Sequence, residues 1–260
     1  MEAYERLAAS RAKNRPTGMS YIHNIFTDFL EMHGDRRFGD DKAVVGGIAR
    51  LCGMPVTVIA HEKGVGTKEK ISRNFGSAHP EGYRKALRLM KQAEKFKRPV
   101  VCFVDTAGAF CGISAEERGE GEAIAENLKE MITLKTPILS VFIGEGGSGG
   151  ALGLAVADEV WMLENAYYSV ISPEGCASIL WKDSSKVKEA AECLKLTADD
   201  LFRMKVIERI IPEPENFGEV YENLQSELYH TLLLKEALKP EDMLQQRYDR
   251  FRRLGVPAQK

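Results

Sequence analysis

The 260-residue sequence lacks the patterns that mark a metal centre or a disulfide framework. Its five cysteines are odd in number and widely spaced, and neither a C-x-x-C pair nor an H-E-x-x-H motif occurs. The cysteines are Cys52, Cys102, Cys111, Cys176 and Cys193. We therefore expect no metal in this chain, and reduced thiols in a cytoplasmic protein.

Long apolar runs are also missing, and no run approaches the length that crosses a bilayer. The first ten residues, MEAYERLAAS, contain no apolar signal region. The formal net charge of −2 gives no overall attraction to nucleic acid or to membranes. We therefore expect neither as a partner. A hydrophobic content of 44% and a charged content of 28% are typical of a globular protein with an ample core.

The most informative stretch is an apolar segment that runs into a glycine-rich turn. Residues 137–143 read PILSVFI, a pattern typical of a buried strand. GEGGSGG follows at 144–150, and a segment with helical composition comes next. A helix start leaves backbone N–H groups unpaired at the positive end of the helix dipole. The turn can therefore bind an anion, or an oxygen that becomes anionic during a reaction.

Other chemistries compete for this turn. A G-x-G-x-x-G motif begins at Gly144, with Glu164 placed as a ribose ligand, but it lies mid-chain and Asp158 interrupts the helix after about two turns. A G-x-S-x-G motif centred on Ser148 fits a hydrolase nucleophile elbow, but the only later histidine, His230, lies in a helical pattern. A P-loop is excluded because no G-K-[ST] follows a glycine loop. A turn that merely allows close packing is the purely structural alternative.

A second strand–turn–helix unit precedes the first one. Residues 99–105 (PVVCFVD) form an apolar strand, and the following turn contains Gly108 and Ala109. Repeated units of this kind imply an α/β fold with ligands at the carboxyl ends of the strands. This arrangement favours an oxyanion hole without a side-chain nucleophile, formed by the backbone N–H groups of Gly149 and Gly150.

Helical and strand patterns fill most of the remaining chain. Predicted helices span about 2–14, 17–30, 80–96, 114–134, 174–181, 185–195, 198–204, 218–237 and 240–254. Further predicted strands span 43–51, 55–61, 159–163, 167–170 and 206–211. Residues 62–79 have no apolar period and are predicted to form a long loop. Across 62–98, 11 Lys or Arg stand against 4 Asp or Glu, which indicates either a solvated helix face or a surface for phosphates or an acidic partner.

Seven motifs together resemble the family of carboxyltransferase α subunits of bacterial acetyl-coenzyme A carboxylase, in the crotonase-like superfamily. The motifs are HGDRRFGDDKAVVGGIARL (33–51), TKEKISRNFG (67–76), HPEGYRKALRLMKQAEKF (79–96), DTAGAF (105–110), AEERGEGEAIAENL (115–128), GEGGSGGAL (144–152) and YSVISPEGCASILWK (168–182). The resemblance is strong between about residues 21 and 214. It implies an α/β, crotonase-like (ClpP/crotonase) spiral of β-β-α units as a single domain over 1–260. Helices at about 1–32 and 218–254 would then be docking elements.

The resemblance also implies an activity and partners. The reaction is transfer of a carboxyl group from carboxybiotin, held on a biotin carboxyl carrier protein, to acetyl-CoA, giving malonyl-CoA for fatty acid biosynthesis. The active site is shared with a β subunit that carries a zinc ribbon, in an α2β2 assembly, and biotin carboxylase belongs to the larger complex. Biotin is therefore the implied cofactor, and it is attached to the separate carrier protein.

The resemblance places specific roles on residues of the two turns. The N–H groups of Gly149 and Gly150 would form the oxyanion hole for the biotin ureido oxygen. The implied walls of the biotin pocket are Gly108, Ala109, Gly146, Gly147 and Ser148. One departure is DTAGAFCG at 105–112, where the family commonly has DTPGAYPG. Two alternatives stay open: another crotonase-like acyl-CoA enzyme, or a non-catalytic scaffold that binds a carrier or nucleic acid through residues 62–98.

Overall fold

The structure of the protein, a computed structural model, describes residues 1–256. Eight strands form one mixed sheet in the order β1-β2-β3-β4-β5-β6-β8, and β7 pairs with the end of β5. The strands are β1 Thr27–Glu31, β2 Val44–Leu51, β3 Met54–His61, β4 Val100–Thr106, β5 Ile138–Gly147, β6 Glu159–Leu163, β7 Tyr167–Ser169 and β8 Arg209–Ile211. β1, β2 and β3 are antiparallel neighbours, whereas β3 to β6 and β8 run parallel.

Twelve α-helices surround this sheet within the described residues. They are α1 Ala3–Ser10, α2 Gly18–Ile25, α3 Gly66–Ser72, α4 Pro80–Lys95, α5 Ile113–Glu117, α6 Glu120–Met131, α7 Ser148–Leu152, α8 Pro173–Trp181, α9 Val187–Leu194, α10 Ala198–Arg203, α11 Phe217–Glu236 and α12 Pro240–Arg252. None of the helices in this part of the chain is long and apolar enough to cross a membrane.

Both faces of the sheet are covered, which explains why its central strands are apolar throughout. Every residue of β4 and β5 is buried, as their β-branched sequences predict. α4 packs on one face, where Leu89 lies against Gly46. α2 packs on the other face, where Tyr21 lies 5.4 Å from Phe103, measured between ring centroids. The parallel strands therefore bring their carboxyl ends, and the turns that follow β4 and β5, to one edge.

Three local predictions were wrong, each for a physical reason. The helix predicted to reach Leu30 ends at Ile25, and residues 27–31 instead pair with β2 as an edge strand. The predicted loop at 62–79 contains α3, which buries none of its residues and so has no apolar period to reveal it. The helix predicted from Ser114 to 134 is two helices, because Gly119 at φ +82° separates α5 from α6.

Candidate active site

The glycine-rich turn lies where β5 ends and α7 begins. β5 continues through Gly147, so the turn starts later than the sequence predicted. Gly146 is buried in the strand, whereas Ser148 is exposed and begins α7 with a φ of +50°. The first backbone N–H groups of a helix have no intrahelical partner. In α7 no side chain caps them either. This turn therefore presents unpaired donors, as the sequence predicted.

The turn after β4 approaches this turn so closely that only glycine fits at the contact. A Cβ atom added to Gly147 would lie 1.9 Å from the carbonyl oxygen of Ala107. A Cβ atom added to Gly150 would lie 2.4 Å from the backbone nitrogen of Ala109 and 2.7 Å from the carbonyl carbon of Gly108. The structure therefore brings the turn at Gly108 and Ala109 against the turn at Gly149 and Gly150, which the sequence placed in separate units.

Gly149 differs from its neighbour because its surroundings are open. A Cβ atom added there would meet only the side chain of Ile124, at 3.9 Å. A cavity of about 360 Å³ borders Ser148 and Gly149. Its walls are mainly apolar and include Leu152, Tyr168, Val170, Leu194, Leu201, Met204 and Val206. The helix start thus lies at the edge of an apolar cavity, where a hydrogen bond to an anionic oxygen is stronger than in water.

A second cavity, of about 240 Å³, borders the same turns at Ala107 and Glu145 and contains a cluster of paired charges. The Lys63 ammonium lies 2.6 Å from a carboxylate oxygen of Asp105 and 2.7 Å from one of Glu145. Arg11 Nε donates to the other Glu145 oxygen at 2.7 Å. Asp105 also accepts from the backbone N–H of Glu145 at 2.8 Å. These contacts fasten the ends of β3, β4 and β5 to each other and to the segment after α1.

The charges of this cluster are stabilised in their ionised forms. Burial opposes the ionisation of Glu145, but the charges of Lys63 and Arg11 outweigh it and lower the pKa of its carboxyl. Burial likewise opposes the charge of Lys63, but Asp105 and Glu145 raise its pKa. Sequence reasoning missed this cluster because its members are far apart in the chain. The available signal was that Asp105 ends one predicted strand and Glu145 lies in the turn just after the other.

Buried polar groups without partners lie behind Gly150. The Tyr83 hydroxyl is 2.9 Å from the position of a Cβ atom on Gly150, and it bonds to no group within residues 1–256. Both carboxyl oxygens of Glu120 are also buried without a partner in that range. Burial, followed by the charges of Asp41 and Glu81, raises the pKa of Glu120 to about 8. Glu120 is therefore mostly protonated at neutral pH. The sequence motif at 115–128 contains Glu120 but did not predict this protonation.

The competing chemistries of the turn find little support in the geometry. Ser148 has the positive φ of a nucleophile elbow, but no imidazole hydrogen-bonds to it among the described residues. His33 and His79 bond to other side chains, and His61 is buried without a partner in that part of the chain. α7 is only five residues long, too short for the helix of a dinucleotide-binding unit. Residues 1–256 also contain no group of three or more His, Cys, Asp or Glu arranged to hold a metal ion.

Comparison with known proteins agrees with the turn geometry. The family described as "Acetyl co-enzyme A carboxylase carboxyltransferase-like" matches residues 1–255. A protein of Ruminiclostridium cellulolyticum named acetyl-coenzyme A carboxylase carboxyl transferase subunit alpha is 64% identical over 260 residues, covering all of both chains. A Clostridium tetani protein named for fused beta/alpha subunits is 54% identical, covering 98% of this chain and 45% of its own.

Solved structures share the fold at low sequence identity. Transcarboxylase 12S superposes with a TM-score of 0.68 at 21% identity, covering 84% of this chain and 42% of its own. The β subunit of Pseudomonas aeruginosa geranyl-CoA carboxylase gives a TM-score of 0.66 at 15% identity, covering 95% of this chain and 45% of its own. The predicted crotonase-like α/β fold is thereby confirmed.

Proposed function

The chain belongs to the acetyl-CoA carboxylase carboxyltransferase family, and on that premise we propose that it forms the biotin-side half of a carboxyltransferase active site. The reaction is transfer of a carboxyl group from carboxybiotin to acetyl-CoA, giving malonyl-CoA. One observation carries this proposal. Two glycine turns meet so that unpaired backbone donors lie beside an apolar cavity, and no side-chain nucleophile is assembled there.

The residues present fit the bicyclic ring of biotin. The cavity of about 360 Å³ beside Gly149 has apolar walls for the ring, and the α7 start supplies donors for a polar oxygen at its edge. Of the predicted pocket residues, Ser148 lines this cavity, whereas Gly108, Ala109, Gly146 and Gly147 lie outside its lining and shape the packing behind it. When bound on its carrier protein, biotin would supply the activated carboxyl group and a ureido oxygen.

The chain's own contribution is electrostatic. The N–H groups of Gly149 and Gly150 would donate hydrogen bonds to the ureido oxygen of bound biotin and would stabilise negative charge at that position. These donors are held by the backbone, so they need no rearrangement during the reaction, and one such donor is typically worth about 2.7–4 kcal/mol. The apolar walls are partly exposed in this chain alone, so a bound partner would be needed to keep water from a reactive carboxyl group.

The charged cluster of Lys63, Asp105 and Glu145 positions the turns rather than reacting. All three groups are engaged with one another, and the pKa shifts of Lys63 and Glu145 keep both charged. Their bonds tie the end of β3 to the ends of β4 and β5, where the two glycine turns begin. The cluster therefore fixes the distance between Gly108 and Gly150.

The missing half of the site is assigned to a β subunit that binds acetyl-CoA. The fused beta/alpha relative from Clostridium tetani supports this pairing, because one chain there joins both parts. The zinc ribbon belongs to that partner, and an α2β2 assembly, the carrier protein, biotin carboxylase and a cytoplasmic location complete the proposed complex.

The test is malonyl-CoA decarboxylation with biocytin as carboxyl acceptor. This chain alone, a β subunit alone and their mixture are assayed in parallel, and association of the mixture is checked by size-exclusion chromatography. We expect activity in the mixture only. Turnover by this chain alone would show a self-contained crotonase-like enzyme. An associated but inactive mixture would support a non-catalytic scaffold.

A further inference from the structure

A cleft of about 380 Å³ lies between the loop after β1, α4 and α6, and its lining is rich in guanidinium groups. The loop contributes Arg36 and Arg37, and α4 contributes Arg84, Arg88 and Lys91. The only acidic residues in this lining are Asp35 and Glu126. Five cations therefore face one cleft with two acids, and three of the five come from the basic stretch 62–98.

Three of these cations have acidic partners. Arg84 Nε donates to Asp35 at 2.8 Å, and Arg37 lies 3.3 Å from Glu126. Lys91 lies 2.9 Å from a carboxylate of α6, that of Glu130. These pairs account for the acids of the lining.

Arg36 and Arg88 differ from these, because no ion pair within residues 1–256 joins either of them to a carboxylate. Arg36 Nη1 donates to the carbonyl oxygen of His33 at 2.7 Å. Arg88 donates to the same oxygen through Nη2 at 3.3 Å, and to the carbonyl of Gly34 through Nε at 3.0 Å. Two guanidinium groups thus converge on one backbone oxygen, with further N–H donors left over.

The acid of the cleft next to Arg36 in the chain, Asp35, already has its hydrogen bonds filled by other donors. One of its oxygens accepts from the backbone N–H groups of Arg37, Phe38 and Gly39, and the other accepts from Arg84. These bonds hold the pKa of the Asp35 carboxyl at about 2, against the effect of its burial. Asp35 shapes the loop, and within residues 1–256 it forms no ion pair with Arg36.

The arrangement is held against two opposing effects. Burial and then the charge of Arg36 lower the pKa of Arg88, and the charges of Asp40 and Asp35 offset this only in part. Arg36 also has a φ of +66°, a backbone conformation that is uncommon for a residue with a side chain. A Cβ atom on Gly34 would lie 2.9 Å from Arg36 Nη1, so glycine there makes room for the guanidinium. Strain and repulsion of this kind cluster at ligand sites.

We propose that Arg36 and Arg88 form a binding site for the phosphate group of a small molecule. A phosphate dianion offsets the mutual repulsion, and its oxygens match the planar donor forks of two guanidinium groups. The phosphate is either free or carried on a coenzyme A thioester, and both sources present the same terminal oxygens. The site does not depend on the carboxyl-transfer proposal.

The test measures phosphate binding to the full chain, alone and with its β subunit, by thermal shift and isothermal titration calorimetry at constant ionic strength. The probes are inorganic phosphate, pyrophosphate and adenosine 3′,5′-bisphosphate, with potassium chloride as the ionic-strength control and malonate as a dicarboxylate control. Arg36→Gln and Arg88→Gln are compared with Arg252→Gln, an exposed arginine of α12. We expect each cleft variant to weaken phosphate binding about tenfold or more, since a charged hydrogen-bonding group is lost.

The outcomes separate clearly. If adenosine 3′,5′-bisphosphate binds more tightly than inorganic phosphate and pyrophosphate, the coenzyme is the supported source. If pyrophosphate binds as tightly as adenosine 3′,5′-bisphosphate, free phosphate is supported. Equal effects of phosphate and chloride, or equal affinity in all three variants, would overturn the site. Tighter binding of malonate than of phosphate would overturn the phosphate assignment. Arg36 is exposed, so Arg36→Gln keeps the test decisive if Arg88→Gln does not fold.

Discussion

The two ends of the parallel strands β4, β5 and β6 are built in opposite ways. At the amino end, the fully buried Arg247 of α12 satisfies every one of its side-chain nitrogens. It forms two bonds of 2.8 and 2.9 Å to the Asp158 carboxylate, and it donates to carbonyl oxygens at Met131, Leu134 and Thr136. Side chains complete this end and close it to solvent.

At the carboxyl end, Lys63 joins Asp105 and Glu145, but the turns that follow the strands rely on backbone contacts and leave polar groups open. Two glycine turns meet at Gly150, unpaired N–H groups lie beside a cavity, and Ser148 has a positive φ. Glu120 and Tyr83 stand behind the turn without partners in the described part of the chain. The amino end is thus closed by side chains, whereas the proposed chemistry lies at the carboxyl edge of the same sheet. Variants at the amino end should therefore affect stability alone, and those at the carboxyl end activity as well.

Removing Arg247 should break the amino end with the largest effect on stability. In Arg247→Ala, the Asp158 carboxylate is left buried without its countercharge, and we expect a loss of about 3–5 kcal/mol in the free energy of unfolding. Urea unfolding followed by circular dichroism measures this loss. Arg253→Ala, at an exposed position just after α12, is the control and should change the free energy by less than about 0.5 kcal/mol. A loss below about 1 kcal/mol in Arg247→Ala would contradict the assigned role.

Removing one backbone donor should break the carboxyl end instead. Gly149→Pro deletes the N–H group of the second residue of α7, and circular dichroism with the melting temperature checks that the variant keeps its fold. We expect kcat of the mixed α and β subunits to fall about 10²–10³-fold. Gly149→Ala is the matched variant, because its Cβ has room beside Ile124 and its N–H remains, so its loss should be much smaller. Equal losses in the two variants would mean that shape, not the donor, matters at Gly149.

The adjacent glycine sharpens this result. A Cβ atom on Gly150 has no room beside Ala109, so Gly150→Ala should displace the turn after β4 and lower both activity and melting temperature. Gly149→Ala should leave the melting temperature nearly unchanged. The difference between the two melting-temperature shifts measures how tightly the turn after β4 packs against Gly150.

Glu120 gives the carboxyl end a distinctive pH dependence. Its pKa is about 8 in the folded chain and 4.5 ordinarily, so between these values the folded state holds a proton that the unfolded state has released. Stability should therefore fall as pH rises through this window, by at most about 1.4 kcal/mol per pH unit from this group. Denaturant titrations from pH 5 to 8 should show a shallower decline in Glu120→Gln. An unchanged slope in that variant would rule out this role for Glu120.

The sequence predicted the parts of the fold that depend on local pattern. β4, β5 and the helix start at Gly149 follow from apolar runs that end in glycine. β1 was missed because residues 27–31 pair across space with β2, and α3 was missed because none of its residues is buried. Contacts such as Lys63 with Glu145 depend on the folded topology, which brings distant residues together, and no local spacing encodes them.

The smallest expected effect concerns the strain at Ser148. A φ of +50° is disfavoured for serine and free of penalty for glycine, so Ser148→Gly should relieve a steric cost. Against this gain stands the greater backbone freedom of glycine in the unfolded chain. We expect a net stabilisation of at most about 1 kcal/mol, measured by urea unfolding beside Ser178→Gly in α8, where glycine should only destabilise. A destabilisation equal to that of Ser178→Gly would show that Ser148 carries no strain, and that the open end of the strands is as relaxed as the closed one.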